Sequence, residues 1–328
     1  MKEFTTLFYS MKKQRNMTNK KLSIAIPSYN RPEILKRNIL KLLPEIREFS
    51  IQIFISDDSI KNETQRMIEE IQIEYRDIFY FRNNPNLGHD GNILQTLRLP
   101  KTDYVWLIGD SILIEQGGIK RVLEIITNDK PEIIAVNARN RKLDEVDLLY
   151  LDCNEVFDKF AWHLTLTGCT IYSKSSIDTI DSLRKNEYEN FPQISLIFSH
   201  LAKKCSFYWV NQNFVYADSS KESYWVDNVF KIFLNDWKSV IRNLPICYHN
   251  KRKVILMHSS IMSVFGFKNL ILYRARGAYN INIFKKYKLD LLEHSGLSAF
   301  ILMIISIMPK FVLKVIINLK RLLKLKFI

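Results

Sequence analysis

Short apolar runs alternate with segments of helical periodicity through the first 140 residues of the chain. The first two runs, LSIAIP at residues 22–27 and IQIFIS at 51–56, have the length and composition of buried strands. Between them, the apolar residues of the segment 33–43 recur every three or four positions, which predicts a helix. Three further runs continue the alternation and lie at residues 78–81, 104–108 and 131–137. This spacing predicts an α/β fold, with a mostly parallel sheet and helices on both faces.

The positive charge of the chain is concentrated at its two ends. The 328 residues carry a formal net charge of +14, yet residues 22–284 are nearly neutral at +2. Residues 1–21 carry +5 and residues 285–328 carry +7. A nucleic-acid-binding domain would show a basic stripe on its folded body. We therefore predict no nucleic-acid partner.

The C-terminal end has the pattern of an amphipathic helix. Residues 295–309 contain no charge, but they are fewer than the roughly 20 apolar residues that a membrane-spanning helix requires. The segment after Pro309 contains six basic residues and no acidic one. At about 100° per residue, its basic and apolar side chains fall largely on opposite sides. This favours a helix that lies in an anionic membrane interface. A terminal helix docked on the protein's own core, or a kinked spanning tail, is the alternative.

The N-terminal end and the cysteines indicate a cytoplasmic protein. Residues 1–21 lack the apolar segment of a secretory signal and are predicted to form a basic arm. The four cysteines lie far apart without a CxxC pair, which predicts reduced thiols and no structural zinc. Together with the C-terminal helix, this predicts a peripheral or monotopic protein at the cytoplasmic face of the cell membrane.

Four polar loops follow the first four predicted strands. They read PSYNRP at 27–32, SDDS at 56–59, NPNLGHDGN at 84–92 and GDS at 109–111. Ligands of open α/β sheets bind at the carboxyl ends of the strands. Carboxylates there can accept hydrogen bonds from a ribose or hold a divalent cation. Taken one at a time, the same residues also fit a helix cap or a tight turn.

The two commonest nucleotide-binding signatures are absent from the first of these loops. Neither the dinucleotide motif GxGxxG nor the phosphate loop GxxxxGK followed by Ser or Thr comes after the first strand. A nucleotidyltransferase would need a glycine-rich, basic phosphate loop at this position. The segment SYNRP is a poor match to such a loop.

In the order IAIPSYNRP, ISDDS, NPNLGHDGN and YVWLIGDS, these motifs resemble the donor-binding half of the inverting glycosyltransferases of family 2. The resemblance covers about residues 21–140 and is greatest to bacterial enzymes that build O-antigen or capsule repeat units, abequosyltransferases among them. It implies the GT-A fold and a hexosyl- or deoxyhexosyltransferase. The expected donor is a nucleotide sugar, first of all a UDP-sugar, and the expected acceptor is a lipid-linked glycan.

The resemblance also implies which residues bind the donor. Three would lie around the nucleotide base: Pro27, Tyr29 and Arg31. Asp57 and Asp58 would bind the base and ribose. The remaining three are Gly88 and Asn92, which would shape the pocket, and Asp110, which would belong to the metal-binding motif.

The metal-binding motif departs from the family pattern. Enzymes of this family usually present two or three acids there, whereas this chain has Gly109-Asp110-Ser111. One carboxylate and a hydroxyl could still hold Mn²⁺ or Mg²⁺, because Mg²⁺ commonly keeps several waters and binds the oxygens of a phosphate. Weaker metal binding, metal independence and lost activity are all consistent with the change.

An inverting transfer also needs a general base that deprotonates the acceptor hydroxyl. In the family it is an acid near the start of a helix that follows a return strand. Here TLTGCTIYSK at 165–174 resembles that strand, and Glu189 is the predicted base with Glu187 in reserve. Both also fit ordinary acids in the first turn of a helix. His163 and His200 are predicted to be structural.

These expectations divide the chain into four parts. Residues 1–21 form the arm, 22–140 bind the donor, 141–284 bind the acceptor, and 285–328 associate with the membrane. The predicted protein transfers a sugar to a lipid-linked glycan in cell-surface polysaccharide synthesis. The alternative is a non-catalytic, degenerate transferase that serves as a scaffold for nucleotide sugar or partner enzymes.

Overall fold

The computed structural model describes residues 20–139, 141, 143–218 and 224–315. Their strands form one nine-stranded sheet in the order β3-β2-β1-β4-β8-β6-β9-β5, with β7 paired to β9. The strands are β1 Leu22–Ser28, β2 Gln52–Asp57, β3 Ile78–Arg82, β4 Tyr104–Leu107, β5 Ile112–Ile114, β6 Ile133–Ala138, β7 Leu148–Tyr150, β8 Thr170–Ser173 and β9 Phe207–Ala217. The strands β3, β2, β1 and β4 run parallel, whereas β8 is antiparallel to β4 and to β6.

The helices of the described residues cover both faces of this sheet. Helix α8 runs without a break through Val229–Lys231, a π turn at Ile232–Asp236 and Trp237–Asn243. The other helices are α1 Pro32–Phe49, α2 Glu63–Glu74, α3 Gly88–Arg98, α4 Gly118–Asn128, α5 Cys153–Phe160, α6 Lys174–Asp178, α7 Pro192–Leu201, α9 Lys251–Ile261, α10 Phe267–Arg276, α11 Ile281–Ser295 and α12 Ala299–Ile307. The predicted α/β architecture is confirmed.

The alternation of side chains along the strands separates two apolar cores. Ile24 and Ile26 of β1 pack on one face of the sheet with α1, α2 and α4. Ala25 lies on the opposite face with residues of α3 and α7. Successive side chains of a strand point to opposite faces, so one apolar run supplies both cores. This explains why the strand sequences are almost continuously apolar.

The C-terminal helices α9 to α12 add to the second core. Leu270 of α10, Leu291 of α11 and Leu302 of α12 are fully buried. Residues 285–305, which the sequence assigns to a membrane-associating tail, therefore contribute in part to the protein's own core. Residues 310–315 are helical, and most of the predicted amphipathic helix, residues 316–328, lies outside the described residues, as does most of the N-terminal arm. Within the described chain, none of the helices has the length and apolarity needed to span a bilayer.

The structure also differs from the sequence prediction in local extent. The strand predicted at 165–174 is shorter, Thr170–Ser173, because Gly168 before it has a φ of +123° and interrupts the extended backbone. The helix predicted at 33–43 continues to Phe49, since Ile46 extends its buried face. Strand β9 was not located from the sequence, and it pairs with β6, β5 and β7.

Candidate functional site

The candidate site lies where the order of the parallel strands reverses. Helix α1 leaves β1 toward β2, whereas β4 pairs on the other side of β1. Crevices at such reversals, beyond the carboxyl ends of the strands, bind ligands in open α/β sheets. The loops that follow β1 and β4 flank this crevice. They contain three predicted donor-binding residues, Tyr29, Arg31 and Asp110.

An ion pair joins these two loops. Nη1 of Arg31 lies 3.2 and 3.3 Å from the two carboxylate oxygens of Asp110. Nδ2 of Asn38 in α1 donates to the carbonyl of Asp110 at 2.9 Å, which holds the backbone of the second loop. Arg31 is partly exposed and Asp110 is almost buried. The pair therefore presents a cationic group at the edge of the crevice.

Asp57 ends β2 and is completely buried. Its carboxylate accepts hydrogen bonds from the backbone and hydroxyl of Ser59, at 3.1 and 2.5 Å, and from the phenol of Tyr80 at 2.8 Å. Burial, together with the bond to Asp57, raises the pKa of Tyr80, so the phenol remains a donor. Oγ of Ser59 accepts in turn from the backbone of Asn30 at 2.7 Å. Asp57 thus connects the loops after β1 and β2 with strand β3.

Asp58 holds the beginning of α3. One carboxylate oxygen accepts from the backbone N–H of Leu87 at 2.8 Å and from Nδ2 of Asn83 at 3.1 Å, and the other accepts from the N–H of Gly88 at 2.9 Å. Asp58 is only 4% exposed. Gly88 has a φ of +72°, a conformation that glycine adopts without steric cost. The backbone therefore turns so that two successive amides face one carboxylate.

Asn92 and Asn83 tie the third loop to β1. Nδ2 of Asn92 donates to the carbonyl of Ser28 at 3.2 Å, and its Oδ1 accepts from Asn83 at 3.0 Å. Asn92 was predicted from the sequence, whereas Asn83 and Tyr80 were not. Asn83 could have been predicted from its position directly after an apolar strand, because Asp58 was predicted from the same position after β2.

The remaining predicted residues of the first loop lie beside the crevice. Pro27 is the penultimate residue of β1 and is partly exposed. Tyr29 is 50% exposed, which leaves its ring accessible to a ligand. An aromatic ring of this kind can stack on a nucleotide base.

The predicted catalytic loop is attached to the first turn of α3. The carboxylate of Asp90 accepts from the backbone N–H of Asn190 at 2.9 Å. Nδ2 of Asn190 donates to the carboxylate of Asp236 in α8 at 2.7 Å. These two bonds hold the segment that precedes α7 between the donor-binding half and α8. The sequence did not single out Asp90, Asn190 or Asp236, because they lie up to 146 positions apart.

Glu189 and Glu187 lie ahead of α7, as predicted, with different surroundings. The carboxylate of Glu189 is 61% exposed and accepts from Nζ of Lys231 at 2.6 Å. The same ammonium lies 2.9 Å from Asp236, whose pKa is raised by burial although Lys231 opposes that shift. The carboxylate of Glu187 is less exposed and is 4.0 Å from Arg184. Neither acid contacts a predicted donor-binding residue directly.

The metal motif contains a single acid in the structure as well. Among the described residues, no group of three or more His, Cys, Asp or Glu side chains could hold a metal ion. The carboxylate of Asp110 faces Arg31, and the backbone carbonyl of Ser111 accepts from Asp218 at 2.8 Å. One carboxylate and one hydroxyl suit only a cation that takes its other ligands from water and a diphosphate.

His163 and His200 lie in the core, away from the loops after β1 to β4. His200 contacts Glu132 at 3.0 Å and Thr179 at 3.0 Å, and His163 contacts Asn137 at 3.2 Å. Burial lowers the pKa of both histidines. Their surroundings are those of structural residues, as predicted from the sequence.

Comparison with known sequences finds a family match in the first half of the chain. Residues 23–176 match the sequence model of Glycosyl transferase family 2. The chain is 29% identical to abequosyltransferase RfbV of Salmonella typhimurium over 130 residues. This aligned segment covers 39% of this chain. The match spans 38% of the length of that relative. The resemblance found in the four loops is confirmed.

Comparison with solved structures extends the likeness to most of the chain. S. aureus TarS in complex with UDP-GlcNAc is 12% identical, with a TM-score of 0.54 over 76% of this chain and 74% of that one. The mannosyltransferase PcManGT of Pyrobaculum calidifontis, in complex with GDP-Man and Mn²⁺, is 11% identical, with a TM-score of 0.55 over 95% and 94%. At these identities the likeness concerns the fold, and the predicted GT-A fold is confirmed.

Proposed function

We propose that the protein is an inverting glycosyltransferase. The proposal starts from the match of residues 23–176 to Glycosyl transferase family 2. The protein transfers a hexosyl or deoxyhexosyl group from a nucleotide sugar to a lipid-linked glycan during cell-surface polysaccharide synthesis. The observation that carries the proposal is the hydrogen-bonded network that joins all four polar loops at one edge of the sheet. Asp57, Asp58 and the pair of Arg31 with Asp110 are its centres.

The donor is proposed to lie across the crevice. Tyr29 stacks on the base, and the loops fastened by Asp57 and Asp58 surround the ribose. Arg31 faces the diphosphate, where a guanidinium can bind two oxygens at once. S. aureus TarS was solved with UDP-GlcNAc and PcManGT with GDP-Man, so a nucleoside diphosphate sugar is the shared class. A UDP-sugar is the first donor to test.

The proposed reaction is a direct displacement at the anomeric carbon. Glu189, with Glu187 in reserve, takes the proton of the acceptor hydroxyl as its oxygen bonds to the anomeric carbon. The bond from that carbon to the diphosphate oxygen breaks, and the nucleoside diphosphate leaves with the electron pair. Attack from the opposite face inverts the configuration. Arg31 stabilises the negative charge that develops on the leaving group.

Asp110 and Ser111 are the residues that would hold a divalent cation. Such a cation, Mn²⁺ or Mg²⁺, supplies positive charge next to the diphosphate. Arg31 supplies part of that charge already through its position beside Asp110. A wild-type enzyme that keeps full turnover in excess EDTA would contradict the need for a metal.

Membrane association at the cytoplasmic face belongs to the same proposal. Phe300 and Ile307 of α12 and the following Phe311 are 66%, 56% and 71% exposed. Lys310 and Lys314 lie beside them in the chain and are also exposed. Apolar side chains next to cations suit an interface with anionic lipids. Vesicles with phosphatidylglycerol should pellet the wild type and much less of the variant with Phe300→Ser and Phe311→Ser. Ile246→Ser, at an exposed apolar residue of another segment, is the control.

A panel of nucleotide sugars tests the catalytic proposal. The protein is incubated with each donor and a lipid-linked acceptor, with and without Mn²⁺, and release of nucleoside diphosphate is measured. At least one donor should be consumed, and NMR of the product should show an inverted anomeric centre. Retention of configuration would overturn the direct displacement.

The scaffold alternative rests on the single acid of the metal motif. A chain that binds nucleotide sugar tightly by calorimetry but turns over no donor in the panel would favour this alternative. In that case Asp110→Asn would change nucleotide affinity without any activity to lose.

A further inference from the structure

A half-open cavity of about 450 Å³ lies between α8, α9 and α11, and none of the predicted donor-site residues lines it. Its polar lining consists of four cations, one acid and one imidazole: Lys238, Arg242, Lys251, Arg252, Glu293 and His294. A volume of a few hundred Å³ is typical of small-molecule sites. The excess of positive charge indicates an anionic ligand.

Two of the four cations are already neutralised by acids. Lys238 lies 2.8 Å from Asp290, and Arg252 lies 2.7 Å from Glu293. The ammonium of Lys251 donates instead to the backbone carbonyls at the end of α8, and burial lowers its pKa.

Arg242 completes the cationic lining. Its guanidinium forms no ion pair with any residue that the structure describes. Within the described part of the chain, Arg242 and Lys251 thus leave two positive charges of the cavity without a carboxylate partner.

The beginning of α9 adds to this positive field. The N-terminal end of a helix carries partial positive charge and usually has acids in its first turn. Here the first turn consists of Lys251, Arg252 and Lys253, without an acid. The side chain of Asn250 donates to Asp158 rather than capping the helix. The amides of residues 251–253 have no hydrogen-bond partner among the described residues, so they can bind an anion.

His294 supplies an independent observation. It is more than nine-tenths buried and lines the cavity. Its Nδ1 lies 2.7 Å from Oγ of Ser259. Within the described residues, Nε2 has no hydrogen-bond partner. A buried imidazole with one nitrogen unused at a cationic cavity is suited to donate to an oxyanion.

We propose that this cavity binds a phosphate group, as the phosphomonoester or diphosphate of a soluble metabolite or of a membrane lipid. Arg242 and Lys251 bind its oxygens as charged donors, the amides of α9 face it, and His294 donates from Nε2. Arginine is suited to this because its planar fork matches two phosphate oxygens. The site is separate from the sugar-transfer site, and binding there does not depend on transferase activity.

Two measurements on the full chain test the proposal. The first is calorimetric titration with inorganic pyrophosphate, and the second is co-sedimentation with phosphatidylcholine vesicles with or without phosphatidic acid. Arg242→Gln and Lys251→Gln should each weaken binding about tenfold, the usual effect of losing one charged hydrogen bond. Lys253→Gln is the matched control, because Lys253 belongs to the same turn but pairs with Asp158 at 3.2 Å and does not line the cavity.

The titration with pyrophosphate and the co-sedimentation with vesicles together distinguish a soluble phosphate ligand from a lipid headgroup. Arg242-dependent binding of pyrophosphate alone identifies a soluble ligand, and Arg242-dependent binding of phosphatidic acid vesicles alone identifies a lipid headgroup. Equal losses in all three variants, or no binding in either arm at millimolar ligand, would overturn the proposal. Arg242 is exposed, so its variant should keep the wild-type melting temperature even if Lys251→Gln does not. An inactive wild type that binds pyrophosphate would refute sugar transfer and leave this site intact.

Discussion

The two halves of the described chain bury different polar side chains. In the first half the buried acids Asp57, Asp58 and Asp110 lie at the carboxyl ends of β2 and β4, and loop amides or an arginine face them. In the second half the buried polar side chains include four histidines: His163, His200, His258 and His294. The acids hold the loops around a crevice, whereas the histidines lie among the packed elements of the interior and bond to single polar side chains such as Asn137 and Ser259.

The two halves therefore differ in the charge that their buried polar side chains carry. A buried carboxylate stays ionised at low cost when several donors surround it, and those donors then keep a fixed geometry. Burial lowers the pKa of all four histidines, so they remain neutral near pH 7 and add no charge to the core. Changes to the acids should alter donor binding, and changes of pH should alter the stability of the second half.

Glu189→Gln tests the exception, an exposed acid of the second half with a proposed catalytic role. Loss of the general base should lower kcat by about 10²–10⁴-fold. The KM for the donor should stay within a factor of about two, because Glu189 does not touch the donor-binding residues. Steady-state kinetics with the identified donor provide the measurement. Glu187→Gln is the matched control, and a larger loss in that variant would exchange the roles of the two acids.

From the lowered pKa values of the four histidines, we predict that acid destabilises the fold at a pH above that at which the carboxylates titrate. Their folded pKa values lie below the ordinary value near 6.5, so the unfolded chain binds more protons below that pH. Stability is fully present above about pH 6.5 and falls as the pH decreases, by up to about 1.4 kcal/mol per pH unit for each histidine. Urea unfolding between pH 7.5 and 5.5 measures this slope. His249→Gln, at an exposed histidine, should not change it, and a flat profile in the wild type would contradict the prediction.

Asp58→Asn tests the hydrogen bonds by which the Asp58 carboxylate holds the beginning of α3. The amide would place an N–H opposite a backbone N–H of Leu87 or Gly88 and lose one of the bonds. We expect a free energy of unfolding lower by about 1–3 kcal/mol, the cost of an unsatisfied buried group. Nucleotide-sugar binding should weaken at the same time. Denaturant melts and calorimetry measure the two effects. Asp129→Asn, at an exposed acid, is the control, and unchanged donor affinity in Asp58→Asn would remove this loop from the site.

Gly88→Ala has the smallest expected effect, and it distinguishes the cost of backbone strain from a loss of donor binding. Gly88 and Gly117 have φ values of +72° and +88°, and a Cβ at either position meets no atom within 4 Å. Alanine at each position should therefore cost about 1–2 kcal/mol of backbone strain alone. Only Gly88→Ala should also weaken donor binding, because the amide of Gly88 bonds to Asp58. Equal donor affinities in the two variants would show that the geometry of this turn is unimportant.

The sequence was sufficient for the fold class and for the position of the donor loops. Apolar runs such as residues 22–27 and 51–56 give strands at nearly the predicted bounds. The polar loops after them meet because parallel strands share one carboxyl edge. The sequence was insufficient for Asn83, Asp90 and Asn190, whose partners are distant in the chain, and for β9.

Local elements could be predicted from the sequence and contacts between distant residues could not, for a physical reason. Periodicity records which face of an element is buried, and it therefore determined the strands, the helices and the loops that carry Asp58 and Asp110. It does not record what covers that face, so only the tertiary structure showed that α11 and α12 belong to the core. The bond of Arg31 to Asp110 and that of Asp90 to Asn190 join residues 79 and 100 positions apart. Such bonds depend on the order of strands in the sheet and on the path of each loop, which are decided when the whole chain packs.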